Sequence, residues 1–432
     1  MEHHTVIIVG GGPAGLPLAV VLGGWHPYYR GSHIFTQRYP QLAYVLCQLK
    51  HTLLKLDFKA LLRQGIPPVD LFRLLHHPRL KFLELSQIAL DFRPEESIDY
   101  LLITQEEIGG LWNNVPQNLL TLSPGQWMEF PFYPLAQHIK EQGLELDVNA
   151  LINKQNLLRY YHRIPDRFAQ TDRIHTREKV TRIEPHERGF LLTSRDVGTE
   201  TTHRYTCKYL VYAVGQRCIP RQLNVPGEEL SFVVDHYSRP EDFPGKRVIV
   251  VGGGRSADWA ATELYDAGKQ IYYVMRQPFE RHWRLISDSR GGLPYYARIA
   301  EIMESRTDRF QTLYRTHIQS IEQGKAGSLI TLTRDGQEQV LEIDHVILEI
   351  GGTADYSLFE GFPPLKLVEK YDNYRFQLHQ AETHLHNYES INIPNLYMGG
   401  YLAAGLGLVV IAMHGTTYAI AGDILQKEGR IL

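Results

Sequence analysis

Two glycine-rich turns carry the clearest chemistry in this sequence. Gly10–Gly15 reads GGGPAG and follows the β-branched run Thr5–Val9, while Gly252–Ala257 reads GGGRSA and follows Arg247–Val251. In a strand–turn–helix unit, the first glycine permits a tight turn, the second lets the backbone approach a pyrophosphate, and the third lets the helix pack closely on the strand. The helix N-terminus then offers N–H groups to the phosphates. Together the two turns predict that one chain binds two dinucleotides.

Each turn assigns roles to its residues. The pairing of two such turns is typical of a flavoprotein that takes hydride from a nicotinamide, so FAD and NADPH are the predicted cofactors. In the second turn, Ala257 takes the place of the third glycine. The residues expected to contact FAD at the first turn are Gly10, Gly12, Pro13, Ala14 and Gly15, and those expected to contact NADPH at the second are Gly252, Gly254, Arg255 and Ser256.

The strand predicted after the second turn indicates which nicotinamide is used. The run Gln270–Met275 ends in Arg276, at the position where an acidic residue would bind the ribose 2′-hydroxyl of NADH. Arginine accommodates a 2′-phosphate, and this favours NADPH. A solvated basic loop is the alternative interpretation of Arg276.

Composition excludes several classes of function. The chain has 432 residues and a net charge of −3, which gives no field that would attract nucleic acid. The apolar stretch Leu396–Leu425 contains several glycines and a histidine, so we expect a buried helix that covers a cofactor, not a membrane span. No signal peptide is visible, and the three cysteines form no C-x-x-C pair. A cytoplasmic protein without a dithiol relay is expected.

The order of strand-like and helix-like runs predicts an α/β protein with two Rossmann-like three-layer dinucleotide-binding domains. The FAD domain is expected to comprise residues 1–220 and 345–432, with the NADPH domain, 221–344, inserted in it. No acidic residue occurs between Glu2 and Asp57, and the next good strand is Asp99–Thr104. We therefore expect a helical insertion at about 25–98 in the first βαβ unit. It could serve as a lid, a substrate wall or a surface for homo-oligomer formation.

Two further clusters are open to more than one interpretation. The stretch Leu119–Phe132 is rich in aromatic residues and would line a substrate or flavin pocket, or belong to the ordinary core. His76 and His77 are adjacent, and His384 and His386 alternate, but no spaced carboxylate or cysteine set accompanies them. We expect solvated loop histidines and no metal site.

Several segments resemble the two-dinucleotide flavoprotein superfamily, and within it the class B flavin monooxygenases. A closer similarity is to the branch of oxidative-stress-induced growth inhibitors, which the long insertion also supports. The segments that carry the superfamily resemblance are Gly10–Gly15, Ile108–Trp112, Ala213–Gly215, the linker His236–Arg247 and Gly252–Ala257, and those that carry the branch resemblance are Gly24–Tyr28, Leu122–Pro131 and Arg159–Tyr161.

The resemblance implies a monooxygenase that forms a C4a-hydroperoxyflavin from FAD, NADPH and O2 and oxygenates a small organic substrate. It also implies a set of site residues: Gly110, Leu111, Trp112, Gly215, Gly400 and Leu408 beside FAD, and Trp127, Ser123 and Gln126 in the catalytic pocket.

The chain departs from the monooxygenase pattern at several positions. The linker motif keeps only His236, the asparagine beside the flavin is replaced within Thr121–Ser123, and the ribose-binding glutamate is Ile103 or Thr104. These departures leave two alternatives. One is an NADPH oxidase or reductase that inserts no oxygen, and the other is a flavin-binding regulatory protein.

Overall fold

The structure is a computed structural model that describes residues 1–78, 86–324, 328–368, 379–403 and 410–431, with side chains described from 415 onward in the last range. The chain divides into two compact units. The first comprises Met1–Asn113, Leu120–Cys218 and Ala354–Leu432, and the second comprises Asn114–Leu119 and Ile219–Thr353.

The strands, in chain order, are β1 Glu2–Val9, β2 Trp25–Tyr29, β3 Leu90–Pro94, β4 Tyr100–Ile103, β5 Ile174–His175, β6 Glu178–His186, β7 Gly189–Asp196, β8 Thr202–Tyr212, β9 Ile219–Pro220, β10 Val233–Val234, β11 Arg247–Val251, β12 Gln270–Met275, β13 Phe310–Tyr314, β14 Thr316–Gln323, β15 Ser328–Arg334, β16 Gln337–Ile343, β17 His345–Leu348, β18 Gly352–Thr353 and β19 Leu396–Met398. The helices are α1 Gly15–Leu22, α2 His33–Arg38, α3 Pro40–Cys47, α4 Phe58–Arg63, α5 Pro68–His76, α6 Leu135–Gln142, α7 Lys154–Arg167, α8 Arg255–Asp266, α9 Phe279–Ser289, α10 Pro294–Glu304 and α11 Val410–Lys427.

The first unit is organised around a sheet with the order β5-β4-β1-β8-β7-β6, and β19 also pairs with β8. β1 lies at its centre, parallel to both β4 and β8. Val6–Val9 of β1 and every residue of α1 are buried, because the end of this strand and this helix are covered on all sides. The two-domain α/β architecture predicted from the alternation of strands and helices is confirmed.

The insertion lies between α1 and β4, as the sequence predicts. Its four helices, α2 to α5, are joined to the unit by an antiparallel ribbon of β2 and β3, in which Trp25 pairs with Pro94 and Tyr29 with Leu90. The insertion is helical as predicted, and this ribbon is an addition that the prediction did not include. Within the insertion, α3 is followed by a 3₁₀ turn and then by α4, because the side chain of Asp57 caps α4 by accepting a hydrogen bond from the Ala60 N–H.

The second unit contains a parallel sheet with the order β10-β17-β11-β12-β13 and an antiparallel sheet of β14, β15 and β16. Val248–Val251 of β11 pairs with both β12 and β17, so the second glycine turn leaves the middle of the parallel sheet. A ligand site at the carboxyl ends of central parallel strands is the usual arrangement in such sheets. None of the helices in the described ranges combines the length and the apolar character that a membrane crossing requires.

Candidate functional site

The first glycine turn has no room for a side chain at its first and last glycines. Gly10 has φ +113°, and a Cβ there would lie 2.4 Å from the Ala213 carbonyl oxygen. A Cβ on Gly15 would lie 1.9 Å from the Gly10 carbonyl oxygen, so the helix packs directly on the turn. No side chain caps the N-terminus of α1, whose cap residue is Ala14. This N-terminus therefore suits the pyrophosphate of FAD, which its N–H groups would bind.

A second loop lies against this turn. The Gly109 N–H donates a 3.0 Å hydrogen bond to the Gly11 carbonyl oxygen. Gly110 has φ +57°, and a Cβ there would lie 2.8 Å from the Cα of Gly12. Leu111 and Trp112 continue the loop as a 3₁₀ turn, with Leu111 exposed. The structure thus brings together two of the segments that the sequence assigns to FAD.

A third group of glycines meets the turn at the end of β8. Ala213 touches both Gly10 and Gly399, where a Cβ would lie 2.8 Å from the Cβ of Ala213. The next residue, Gly400, has φ +61° and donates its N–H to Thr416 Oγ1 at 3.2 Å. Gly215 has φ +77° with open space around it. Leu408, the remaining predicted FAD contact, lies outside the described residues.

The end of β4 lacks the acidic side chain that normally binds the ribose. Parallel pairing sets Ile103 opposite Val9, so Thr104 is the residue that follows the strand beside the turn. Ile103 is fully buried and Thr104 is buried, and the Thr104 methyl would lie 3.0 Å from a Cβ on Gly11. Thr104 therefore fills the space next to the turn, and any ribose contact has to come from the backbone or from another loop.

The predicted catalytic segment is buried and fixed by its own hydrogen bonds. Gln126 donates from Nε2 to Asn149 Oδ1 at 2.9 Å, and its Oε1 accepts the Ser86 N–H. The Ser123 hydroxyl contacts the sulfur of Met128 at 3.6 Å. Each amide atom of Gln126 makes a hydrogen bond within the protein, so this side chain helps to hold the segment in place. Its role as a substrate contact stays a prediction.

Two tyrosines that the resemblance singles out hold the other side of this segment. The Tyr160 hydroxyl accepts the Phe130 N–H at 2.8 Å and donates to the Tyr133 carbonyl oxygen at 2.6 Å. The Tyr161 hydroxyl donates to the Met128 carbonyl oxygen at 3.4 Å. Both side chains are fully buried, and burial raises the pKa of each phenol far above its ordinary value. They therefore remain neutral donors at any physiological pH.

Trp127 is 4% exposed and stacks on His77, with ring centroids 4.0 Å apart and an angle of 19° between the ring planes. His77 is 3% exposed and its neighbour His76 is fully buried. The prediction of solvated loop histidines is therefore wrong for this pair, because the insertion folds them against the Trp127 segment. His384 is exposed and His386 half-buried, as expected of a surface loop.

The second glycine turn has its own geometry. Gly252 has φ +152°, and a Cβ there would lie 2.5 Å from the Glu349 carbonyl oxygen, while a Cβ on Gly254 would meet no atom within 4 Å. Gly254 caps α8 without a side-chain hydrogen bond. Ser256 is half-buried in the first turn of α8. The open, uncapped helix N-terminus fits a pyrophosphate, as NADPH binding requires.

The basic residues predicted to read NADPH flank this turn. Arg276 directly follows β12, the strand next to β11, and Arg255 begins α8; both side chains are exposed. Between them, Gln277 donates from Nε2 to the Gly253 carbonyl oxygen at 2.7 Å and so connects the end of β12 to the turn. The arrangement puts a guanidinium at the strand end where a 2′-phosphate is recognised in such folds.

The cysteines do not form a redox pair. Cys207 is fully buried in β8, and burial raises the pKa of its thiol well above the ordinary value. Burial also raises the pKa of the Cys218 thiol. Protonated thiols are poor nucleophiles, so these two residues are unsuited to disulfide exchange.

Comparisons with known proteins agree with this geometry. A family model described as pyridine nucleotide-disulphide oxidoreductase matches residues 87–400. The chain is similar to oxidative stress-induced growth inhibitor 1 of Homo sapiens, with 23% identity over 470 residues, covering 99% of this chain and 96% of that protein. It is also similar to a ferredoxin–NADP reductase of Ignicoccus hospitalis, with 30% identity over 156 residues, covering 36% of this chain and 47% of that protein. This second match spans about half the length of the reductase.

Solved structures share the fold at low sequence identity. The bacillithiol disulfide reductase of Staphylococcus aureus superposes with a TM-score of 0.68 at 18% identity, covering 99% of this chain and 100% of that one. A flavin-containing monooxygenase of Stenotrophomonas maltophilia superposes with a TM-score of 0.58 at 15% identity, covering 100% of this chain and 99% of that one.

Proposed function

The chain belongs to the pyridine nucleotide-disulphide oxidoreductase family, and from that premise we propose that it is an NADPH-consuming flavin monooxygenase of a small organic substrate. In general terms, the protein is a flavoprotein oxidoreductase whose cofactors are FAD and NADPH. In the proposed reaction, NADPH, a proton, O2 and the substrate give NADP⁺, water and the oxygenated substrate. FAD, when bound, accepts hydride from NADPH and supplies the electrons that reduce O2.

Residues of this chain supply binding, orientation and the exclusion of water. The glycine turn at Gly10–Gly15 and the loop at Gly110–Trp112 would hold FAD, and Gly252–Ser256 with Arg276 would hold NADPH. Gly215 has open space around it, and Gly400 has a φ of +61° next to the first turn. These roles follow from the open helix N-termini and the positions at which a Cβ would clash.

The observation that carries the proposal is the buried aromatic segment of the first unit. Trp127, Phe130 and Phe132 are at most 8% exposed. Tyr160 and Tyr161 fix the backbone of this segment, so it forms a rigid and apolar wall. Oxygen transfer requires a site that excludes water, because water promotes the loss of reduced oxygen as peroxide. The missing thiol pair argues against the disulfide chemistry of other members of the family.

A second candidate is an NADPH oxidase or reductase that inserts no oxygen. The hydrogen bonds of Gln126 favour it, since each amide atom already has a partner within the protein and the side chain is held in place. The Ser123 hydroxyl is likewise directed to a sulfur atom. In this case the electrons would leave as hydrogen peroxide or pass to a small acceptor.

A product balance separates the two candidates. Purified protein would be reconstituted with FAD, supplied with NADPH and O2, and offered a thioether, a tertiary amine and a ketone in turn. One oxygenated product per NADPH supports the monooxygenase, whereas one hydrogen peroxide per NADPH with every probe contradicts it and supports the oxidase.

The matched control is Gly10→Ala, whose Cβ would lie 2.4 Å from the Ala213 carbonyl oxygen. This variant should retain no FAD and should oxidise no NADPH. A wild-type protein that takes up no FAD at all would contradict both candidates and would support a regulatory role.

A further inference from the structure

Three potential metal ligands meet at the contact between the insertion and the Trp127 segment. His76 ends α5 and His77 follows it, whereas Glu129 comes from the segment after Trp127. One ring nitrogen of each histidine and one carboxylate oxygen of Glu129 all lie within 4.8 Å of one another. The side chains are buried, with exposed fractions of 0%, 3% and 2%. No metal site was expected from the sequence, because the carboxylate of this cluster is far from the histidines along the chain.

The buried carboxylate of Glu129 requires compensation. Its Oε2 accepts the Leu135 N–H at 2.7 Å, and its Oε1 lies 2.9 Å from His76 Nε2. Among the described residues, no lysine or arginine forms an ion pair with Glu129. Burying an ionised carboxylate is costly unless a charge of opposite sign accompanies it. A bound cation would provide this charge.

Two imidazoles and one carboxylate are a ligand set that Zn²⁺ prefers. Zinc binds such atoms at about 2.0–2.2 Å, so a tetrahedral site places its ligand atoms about 3.3 Å apart. His76 Nε2 and Glu129 Oε1 are 2.9 Å apart, which is slightly closer than this value. All three candidate ligand atoms lie within 4.8 Å of one another, an upper bound that is longer than this value. Movements of about an ångström would complete the site.

The surroundings also fit a metal centre. His77 Nε2 lies 3.3 Å from the Gln126 carbonyl oxygen, and histidine ligands usually make such a contact with their other nitrogen. The stack on Trp127 fixes the plane of the His77 ring. The Leu135 N–H orients the carboxylate of Glu129. A non-haem iron site needs several open coordination positions beside its three protein ligands, whereas zinc needs one. A buried site among aromatic side chains therefore suits zinc better than iron.

We propose that His76, His77 and Glu129 bind a zinc ion, with a fourth position that water occupies. Zinc has no redox chemistry, so the ion would act as a cross-link that fixes the end of α5 to the segment containing Trp127. It would thereby join the insertion to the aromatic wall of the first unit. The site is independent of which reaction the flavin supports.

The direct test is metal analysis of the purified holoenzyme after dialysis against metal-free buffer. We expect about one zinc per chain by mass spectrometry of the elements. After removal of zinc, titration with Co²⁺ should give the ligand-field absorption of a four-coordinate site. Less than about a tenth of an equivalent of zinc together with no Co²⁺ band would overturn the proposal, and so would stoichiometric iron.

Variants separate a metal site from a simple ion pair. His77→Ala keeps the His76–Glu129 contact but removes one ligand, and it should weaken zinc binding at least 100-fold, since even outer-shell changes cost about 10–100-fold. Glu129→Gln should do the same. The control is the double variant His384→Ala/His386→Ala, which removes two histidines whose rings lie 5.7 Å apart in a surface loop.

The control should bind zinc as the wild type does. Equal zinc affinity in wild type and His77→Ala, with both proteins folded by circular dichroism, would overturn the proposal. The Co²⁺ spectrum of the wild type does not depend on the variants, so a variant that fails to fold leaves the test intact.

Discussion

Gly415 of α11 lies directly against α5 of the insertion, and its substitution tests how the insertion is held in place. A Cβ on Gly415 would lie 2.1 Å from the Cα of Val69 and 2.5 Å from its backbone nitrogen, at the start of α5. Ordinary contact begins at 3.4 Å, so Gly415→Ala would have to separate the two helices by about 1.3 Å. A backbone atom cannot rotate away as the end of a side chain can. The separation would also loosen the contact between Phe72 and Tyr418, whose rings lie 4.1 Å apart.

Two effects of opposite sign determine how much Gly415→Ala changes the stability of the contact between α11 and α5. Alanine in a helix interior is favoured over glycine by about 0.5–1 kcal/mol, so without a clash Gly415→Ala would stabilise the protein. Overpacking a close contact usually costs about 1–3 kcal/mol and more where the backbone has to move. We therefore expect a net loss of about 1–3 kcal/mol in the free energy of opening α5. This corresponds to about 5-fold to 150-fold faster amide exchange there.

Hydrogen exchange followed by mass spectrometry measures this locally, which suits a protein of two units. Peptides covering α5 should lose protection in Gly415→Ala, while peptides covering β11 and β12 in the second unit should not change. The matched control is Gly291→Ala, since a Cβ there meets no atom within 4 Å. Unchanged or increased protection of α5 in Gly415→Ala would refute the view that the insertion docks on α11 through a backbone contact.

Three further outcomes follow from particular contacts. In steady-state kinetics, Arg276→Ala should raise the KM for NADPH about 10-fold to 150-fold and leave the KM for NADH unchanged, because a charge-assisted hydrogen bond contributes about 1.5–3 kcal/mol. An equal effect on the KM values of NADPH and NADH would contradict a contact between Arg276 and the 2′-phosphate. Tyr160→Phe should destabilise the first unit by about 1–3 kcal/mol in thermal unfolding, since it leaves the buried Phe130 N–H unpaired, whereas an unchanged Tm would contradict this. The hydrogen bond to Glu178 raises the pKa of His175 above 6.5, and hydrogen bonds from His175, Ser194 and Tyr205 outweigh burial and hold the pKa of Glu178 below 4.5. The histidine contribution is present below about pH 6.5 and lost as pH rises through its raised pKa, and the glutamate contribution is present above about pH 4.5 and lost as pH falls through its lowered pKa. The Tm difference between wild type and Glu178→Gln should therefore be largest between about pH 4.5 and 6.5, and a difference independent of pH would contradict the pairing.

Local patterns predicted much of the fold because they depend on neighbouring residues. The strand predicted at Gln270–Met275 is β12, since its β-branched and aromatic residues suit a buried parallel strand. α7 begins directly after Asn153, whose side chain caps it, as asparagine often does at the start of a helix. It continues to Arg167, with Pro165 inside the helix.

Features that depend on distant residues escaped prediction. The ribbon of β2 and β3 forms between segments on opposite sides of the insertion, and Pro27 lies within it. The burial of His76 and His77 depends on Glu129 and Trp127, which no spacing in the sequence connects to them. The same holds for Tyr160 and Phe130. A pattern reveals which residue types are present, but partners on separate elements become visible only when the chain is folded.

The structure also narrows the role of the insertion, which the sequence left open as a lid, a wall or an oligomer surface. Leu71, Phe72 and Leu75 of α5 are at most 2% exposed. Burying three such side chains stabilises the docked state by about 4.5–9 kcal/mol. A lid with this contact would be open in fewer than about one molecule in a thousand. The buried side of α5 therefore favours a fixed wall, and any surface for a second copy of the chain has to be on the outer side, where Tyr44 and Val45 of α3 are 69% and 55% exposed.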